Sequence, residues 1–159
     1  MEYYNPFQKR EIRFPKRFKD KIEIYCKTNP TGGESLSPDY NPFSRQIDFW
    51  MLAVCLGYYS GQKIEDKQSY RFITGEIFLK DPGTIELLEI FGISETGDPY
   101  IINKPETIIN LANQFAAAGI EQLINMIESS EQAPLWNLTN GFKEFFKDEF
   151  IGQWLSDEL

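Results

Sequence analysis

The sequence predicts a mainly α-helical fold: one compact domain of about five helices with one or two short strands in its N-terminal and central parts. Apolar residues recur at helical spacing in five segments, at 15–27, 44–61, 84–93, 105–127 and 140–159. Only residues 11–14 and 71–79 are rich in β-formers. At 159 residues, 42% of them apolar and 15% aromatic, the chain can bury one core and is not composed like a disordered segment.

The elements follow in chain order. Glu11 to Phe14 reads as a short strand, and Pro15 suits the first position of a helix over 15–27 carrying Phe18, Ile22 and Tyr25 on one face. Residues 28–43, dense in Pro, Gly, Ser and Asn, read as a loop. Ser44 is an expected N-cap for SRQIDFWMLAVCLGYYSG, where Ile47, Trp50, Met51, Val54, Cys55 and Tyr58 share a wide apolar face and Gly61 is the stop. Residues 62–80 fit strand and helix equally, because Gly75 interrupts RFITGEIFL. Thr84 to Ile93 is helical, with Ile85, Leu88 and Phe91 or Gly92 facing inward. Pro105 opens a helix with Ile108, Leu111, Ala112 and Phe115 toward the core. Gly119 is expected to end or bend it, and Pro134 to end the following unit. Thr139 or Asn140 would cap a final helix. The domain thus divides into a basic strand–helix (1–27), a loop (28–43), a helical body (44–134) and an aromatic, acidic C-terminal helix (135–159).

Absences in the composition restrict the chemistry. With no histidine, neither a Ser-His-Asp triad nor a Cys-His pair can form. Two distant cysteines, Cys26 and Cys55, cannot complete a usual zinc site. They suggest a reducing compartment, and MEYYNPFQKR has no apolar run after its charges, so a cytoplasmic location is expected. The longest apolar run, Phe49 to Tyr59, is too short to span a bilayer. Asn137-Leu138-Thr139 matches a glycosylation sequon, which is expected to be idle there. No cofactor is implied.

Charge is asymmetric. Residues 1–27 hold eight Lys/Arg and four Asp/Glu, residues 28–80 five and six, and residues 81–159 three and fourteen, for a net −8. The basic front makes Arg13, Lys16, Arg17 and Lys21 candidates for nucleic-acid contact, against the plainer reading of a solvated basic face. Pro38-Asp39 followed by Glu65-Asp66-Lys67 mimics a magnesium-dependent nuclease signature, although that chemistry needs its carboxylates on adjacent strands. The acidic back half could mimic DNA if its carboxylates were spaced like phosphates. In the last helix Phe146, Phe150 and Trp154 are candidates for partner docking, weighed against core packing. In SETGDP, Glu95, Gly97 and Asp98 form a helix stop and turn rather than a metal loop, which needs three or more convergent oxygens.

Two blocks carry a family resemblance. PFSRQIDFWMLAVCLGYYSGQK, residues 42–63, resembles the central block of DNA phosphorothioation-associated protein 4 at Pro42, Phe43, Asp48, Ala53, Leu56, Gly57 and Gly61. SETGDP (94–99) with ANQFAAAGIEQL (112–123) resembles that family's E-T-G-D turn and the segment after it, with Ala117-Ala118 replacing a more polar, glycine-containing pair. The N-terminal R-x-x-K pattern, Arg13 to Lys16, is compatible. The resemblance covers roughly residues 12–128. It implies an accessory component of a prokaryotic, Dnd-type genome-defence system, and it brings no catalytic residue with it. The expectation is therefore a non-catalytic adaptor that binds larger defence proteins and contacts double-stranded DNA through its basic front. A small DNA-binding transcriptional regulator is the first alternative, and a nuclease or an acidic DNA mimic is the weaker one.

Overall fold

The structure, a computed structural model, describes residues 4–27 and 37–147. It is mainly helical with one two-stranded antiparallel sheet, as the sequence predicts. Strand β1 (Glu11–Pro15) alternates between exposed Glu11, buried Ile12, half-exposed Arg13 and buried Phe14, the period of a strand with one covered face. It pairs with β2 (Ser69–Thr74), Ile12 opposite Ile73 and Arg13 opposite Arg71, with a bulge between Ile12 and Arg13. Phe14 stacks on Phe72 at 4.1 Å between ring centres and meets the edge of Phe49, which ties the sheet to the helices.

The ambiguous stretch 62–80 is both things in turn. β2 ends at Thr74, and a 3-10 helix runs from Gly75 to Lys80. Gly75 is the pivot because its backbone lies against Phe7: a Cβ there would stand 2.2 Å from the Phe7 carbonyl oxygen.

The helix expected over 15–27 is shorter. Pro15 is extended (φ −60°, ψ 132°) and Lys16 N–H still bonds Gln68 O, so the chain stays beside β2 for one residue more. A 3-10 turn (Lys16–Phe18) then leads into α1 (Lys19–Tyr25), whose Ile22 is buried. Cys26 leaves the helix to bridge Phe43.

Helix α2 (Gln46–Tyr59) begins after Arg45, not at Ser44. Arg45 is the N-cap residue without a side-chain cap bond, and its guanidinium donates to the first-turn carboxylate of Asp48 at 2.6 and 3.1 Å. The single apolar face expected for α2 is too narrow. Phe49, Ala53, Leu56 and Gly57 are buried as well, while Cys55 is exposed. The helix is sandwiched, with the sheet on one side and α4 on another. Gly61, in the left-handed region at φ 66°, follows its end as expected.

Helix α3 (Gly83–Thr96) buries Thr84, Ile85, Leu88 and Gly92. A 3-10 turn (Pro99–Asn103) joins it to α4 (Pro105–Ile127), one unbroken helix of 23 residues that crosses the core. Gly119 does not end α4. It marks where α4 touches α2, since a Cβ on Gly119 would lie 1.8 Å from Ala53 O and one on Gly57 2.0 Å from Phe115 O. Leu111, expected in the core, is half-exposed.

Pro134 opens α5 (Pro134–Phe146) rather than closing the unit before it, because at a first helical position proline has no hydrogen bond to lose. Ala133 is its N-cap, and Thr139 and Asn140 lie inside the helix. Asn137, of the sequon, is buried, and its amide reaches the carbonyls of Ile127, Ser130 and Gln132, closing the turn from α4. Phe150, Trp154 and the remainder of the expected C-terminal helix lie outside the described residues. Among those described, no helix is long and apolar enough to cross a membrane.

Candidate functional site

The basic front is built by β1, the turn after it and α1, and three of its four candidate cations are paired within the chain. Arg13 donates to Ser69 Oγ and Ser69 O at 2.9 Å each and pairs with Glu11. Arg17 lies 3.9 Å from Asp66 and over the ring of Phe18. Lys21 bonds Glu128 at 2.7 Å, where Tyr25 Oη also donates. The Lys21 hydrogen bond holds the Glu128 carboxyl below its usual range, while burial and the Glu128 bond push Tyr25 up to about 12. Lys16 is exposed and in no ion pair with a described residue. Of the four candidate contacts, three thus share their charge with an internal partner.

A polar cleft lies beside this front. Arg13, Glu65, Asp66 and Ser69 form one side, and Asn110, Asn113 and Gln114 of α4 the other. The nuclease-like residues are divided: Glu65 and Asp66 line this cleft, and Asp39 does not. Asp39 sits in the turn before Phe43, where its carbonyl accepts the N–H of Leu135 at the start of α5. Among the described residues no group of three or more acidic or cysteine side chains could hold a metal ion. Burial pushes the Cys26 thiol up to about 12, so it stays protonated at neutral pH.

The SETGDP turn is a structural device at each position. Gly97 takes φ 68° and returns its N–H to Ile93 O at 2.8 Å, closing α3. Asp98 accepts the N–H of Tyr100 at 2.9 Å and so caps the next turn, with Pro99 at its first position. Glu95 bonds Lys63 at 2.7 Å, Thr96 bonds Gly92 O, and Ser94 meets Tyr58 Oη. Gly97→Ala and Asp98→Ala should each lower stability by about 1 kcal/mol in denaturant titration.

The other block of the resemblance is equally structural. Phe43 and Leu56 are buried, Asp48 holds Arg45, Ala53 and Gly57 form the α2–α4 crossing, and Gly61 supplies the positive φ.

Helix α5 offers an apolar groove. Leu52 of α2 with Leu138, Phe142 and Phe146 forms its surface, and Thr139, Lys143 and Lys147 stand around it. The Phe146 ring stacks on Phe142 with centres 5.9 Å apart and packs on Phe145. Phe146 thus lines an open groove and is exposed there. Leu52 was not anticipated, because its turn of α2 reads as core. Asn113 was also missed: one of several carboxamides in α4, it gives no sign in sequence of its partners, which the fold brings from β1 and α2.

No protein-family model, curated protein or solved structure matches this chain.

Proposed function

We propose that this chain is a non-catalytic accessory subunit of a prokaryotic, DNA-modification-linked anti-phage defence system, and that it binds larger partner proteins through α5. The observation that carries the reading is the apolar groove of Leu52, Leu138, Phe142 and Phe146 flanked by Lys143 and Lys147. An apolar channel with charged edges is the form a partner helix or strand recognises. The resemblance of residues 42–63, 94–99 and 112–123 to the phosphorothioation-associated family supports the biological setting. Direct DNA contact is the weaker part, because Arg13, Arg17 and Lys21 already have internal partners.

The test is native purification of the tagged chain from its host, with the co-purifying proteins identified and their affinity measured. The double variant Lys143→Glu, Lys147→Glu should lower that affinity by about tenfold or more while the fold is retained. A chain that stays free of protein partners and binds a specific duplex tightly would replace this reading with the transcriptional regulator. Loss of that duplex binding in Arg13→Ala, Arg17→Ala, Lys21→Ala would then place the contact on the basic front.

A further inference from the structure

We infer that a second groove, between the start of α2 and the outer face of α3, docks a basic amphipathic helix of a partner protein. Its apolar lining is Ile47 and Met51 from α2, Ile77 and Phe78 from the 3-10 helix, and Leu87 from α3. One turn further along α3 stands Ile90. Leu87 is 58% exposed and Ile90 62%, although α3 already buries its opposite face through Ile85, Leu88 and Gly92. Single exposed aliphatics are common on protein surfaces. Two at i and i+3, continuous with an apolar groove, instead form the anchor pattern that a helix laid along the groove would meet.

Charge selects the occupant. The charged residues that line the groove are Arg45, Asp48 and Asp81, and Glu86 and Glu89 stand beside Leu87 and Ile90 in α3, four carboxylates to one cation. That cation, Arg45, is bound by Asp48. Glu86 and Glu89 form no ion pair with a described residue. An incoming helix with apolar residues at helical spacing and Lys or Arg beside them gains at both levels, whereas an acidic helix or a nucleic acid meets repulsion. The α5 groove has lysines at its edge, so the two surfaces take partners of opposite charge and either can fail alone.

The probe is a synthetic helical peptide with leucines at i, i+3, i+4 and i+7 and lysines between them, compared with the same peptide carrying glutamates for lysines. Binding to the full chain is measured by calorimetry and by methyl and amide shifts. The lysine peptide should shift Ile47, Met51, Ile77, Leu87 and Ile90, and the glutamate peptide should leave them unmoved. The decisive variant is Leu87→Glu, Ile90→Glu. It removes both anchors while adding negative charge, so groove binding should weaken by about tenfold or more. Generic attraction of a cation to an acidic protein would instead strengthen or stay constant, and that result overturns the proposal. Leu87→Ser, Ile90→Ser removes the anchors without changing charge, so groove binding should still weaken whereas generic attraction would stay constant, and it decides the matter if the first variant does not fold. Equal binding of both peptides, or shifts confined to the α5 groove, also overturns it.

Discussion

Gly119→Ala is expected to destabilise the fold by about 3 kcal/mol, even though alanine is the better helix former by about 1 kcal/mol. The new Cβ would stand 1.8 Å from the carbonyl oxygen of Ala53 and 2.9 Å from the backbone nitrogen of Gly57. Those neighbours are backbone and cannot rotate away, so α2 and α4 must separate. Separation loosens Ala53, Leu56, Ala112, Phe115 and Ala116, which are all nearly or fully buried. For a chain of this length the loss corresponds to a melting midpoint lower by about 10 °C. Gly57→Ala should behave alike, since its Cβ would meet Phe115 O at 2.0 Å, and the double variant should cost less than the sum because one separation relieves both contacts. Gly141→Ala on α5 is the control. Its nearest neighbour is the flexible side chain of Met126 at 3.1 Å, so the substitution should be close to neutral or stabilise by up to about 1 kcal/mol. Thermal and denaturant unfolding of the three variants checks this. A Gly119→Ala protein as stable as the parent would mean that the helices do not touch there.

The same pair of glycines shows which parts of the fold were legible. Helical periodicity located α2, α3 and α4, and β-former content located β1, because those signals are local. Gly97 and Gly61 were legible too, since a glycine after the last periodic residue has a local reason. Gly119 suggested a break because nothing local distinguishes a glycine that ends a helix from one that admits a neighbour. Pro134 misled for a similar reason: proline stops a helix only when it falls beyond the first turn. Candidate sites were legible as residue types and not as availabilities. Arg13, Arg17 and Lys21 read as free cations, and only the fold shows Ser69, Asp66 and Glu128 beside them. Helical spacing left Leu87 and Ile90 off the inward face of α3, and only the fold shows that Leu87 lines a groove.

Asn113→Leu is the second substitution with a large expected effect, and it tests whether one carboxamide joins three elements. Asn113 Oδ1 accepts the backbone N–H of Arg13 at 3.0 Å and the indole N–H of Trp50 at 3.2 Å, and its Nδ2 donates to Glu11 O at 3.1 Å. The β-bulge between Ile12 and Arg13 interrupts the ladder at this point, and α4 supplies the partner for the Arg13 N–H. Trp50 is fully buried, so an indole N–H left without its acceptor has no water to turn to. Leucine has the same number of side-chain heavy atoms and the same branching and is larger, so none of the loss comes from a cavity. The expected destabilisation is about 2–4 kcal/mol, from three orphaned groups of which those near the cleft regain some hydration. Asn113→Asp should lose less, because both N–H donors keep an acceptor and only the bond to Glu11 O is lost. The indole N–H resonance of Trp50 should move in the leucine variant and stay near its position in the aspartate variant. If the leucine variant unfolds at the same denaturant concentration as the parent, Asn113 is not the joint between sheet and helices. The A-N of the second resemblance block would then need another explanation than the one the geometry provides, which is that a helix running past a bulged strand needs a carboxamide at that turn.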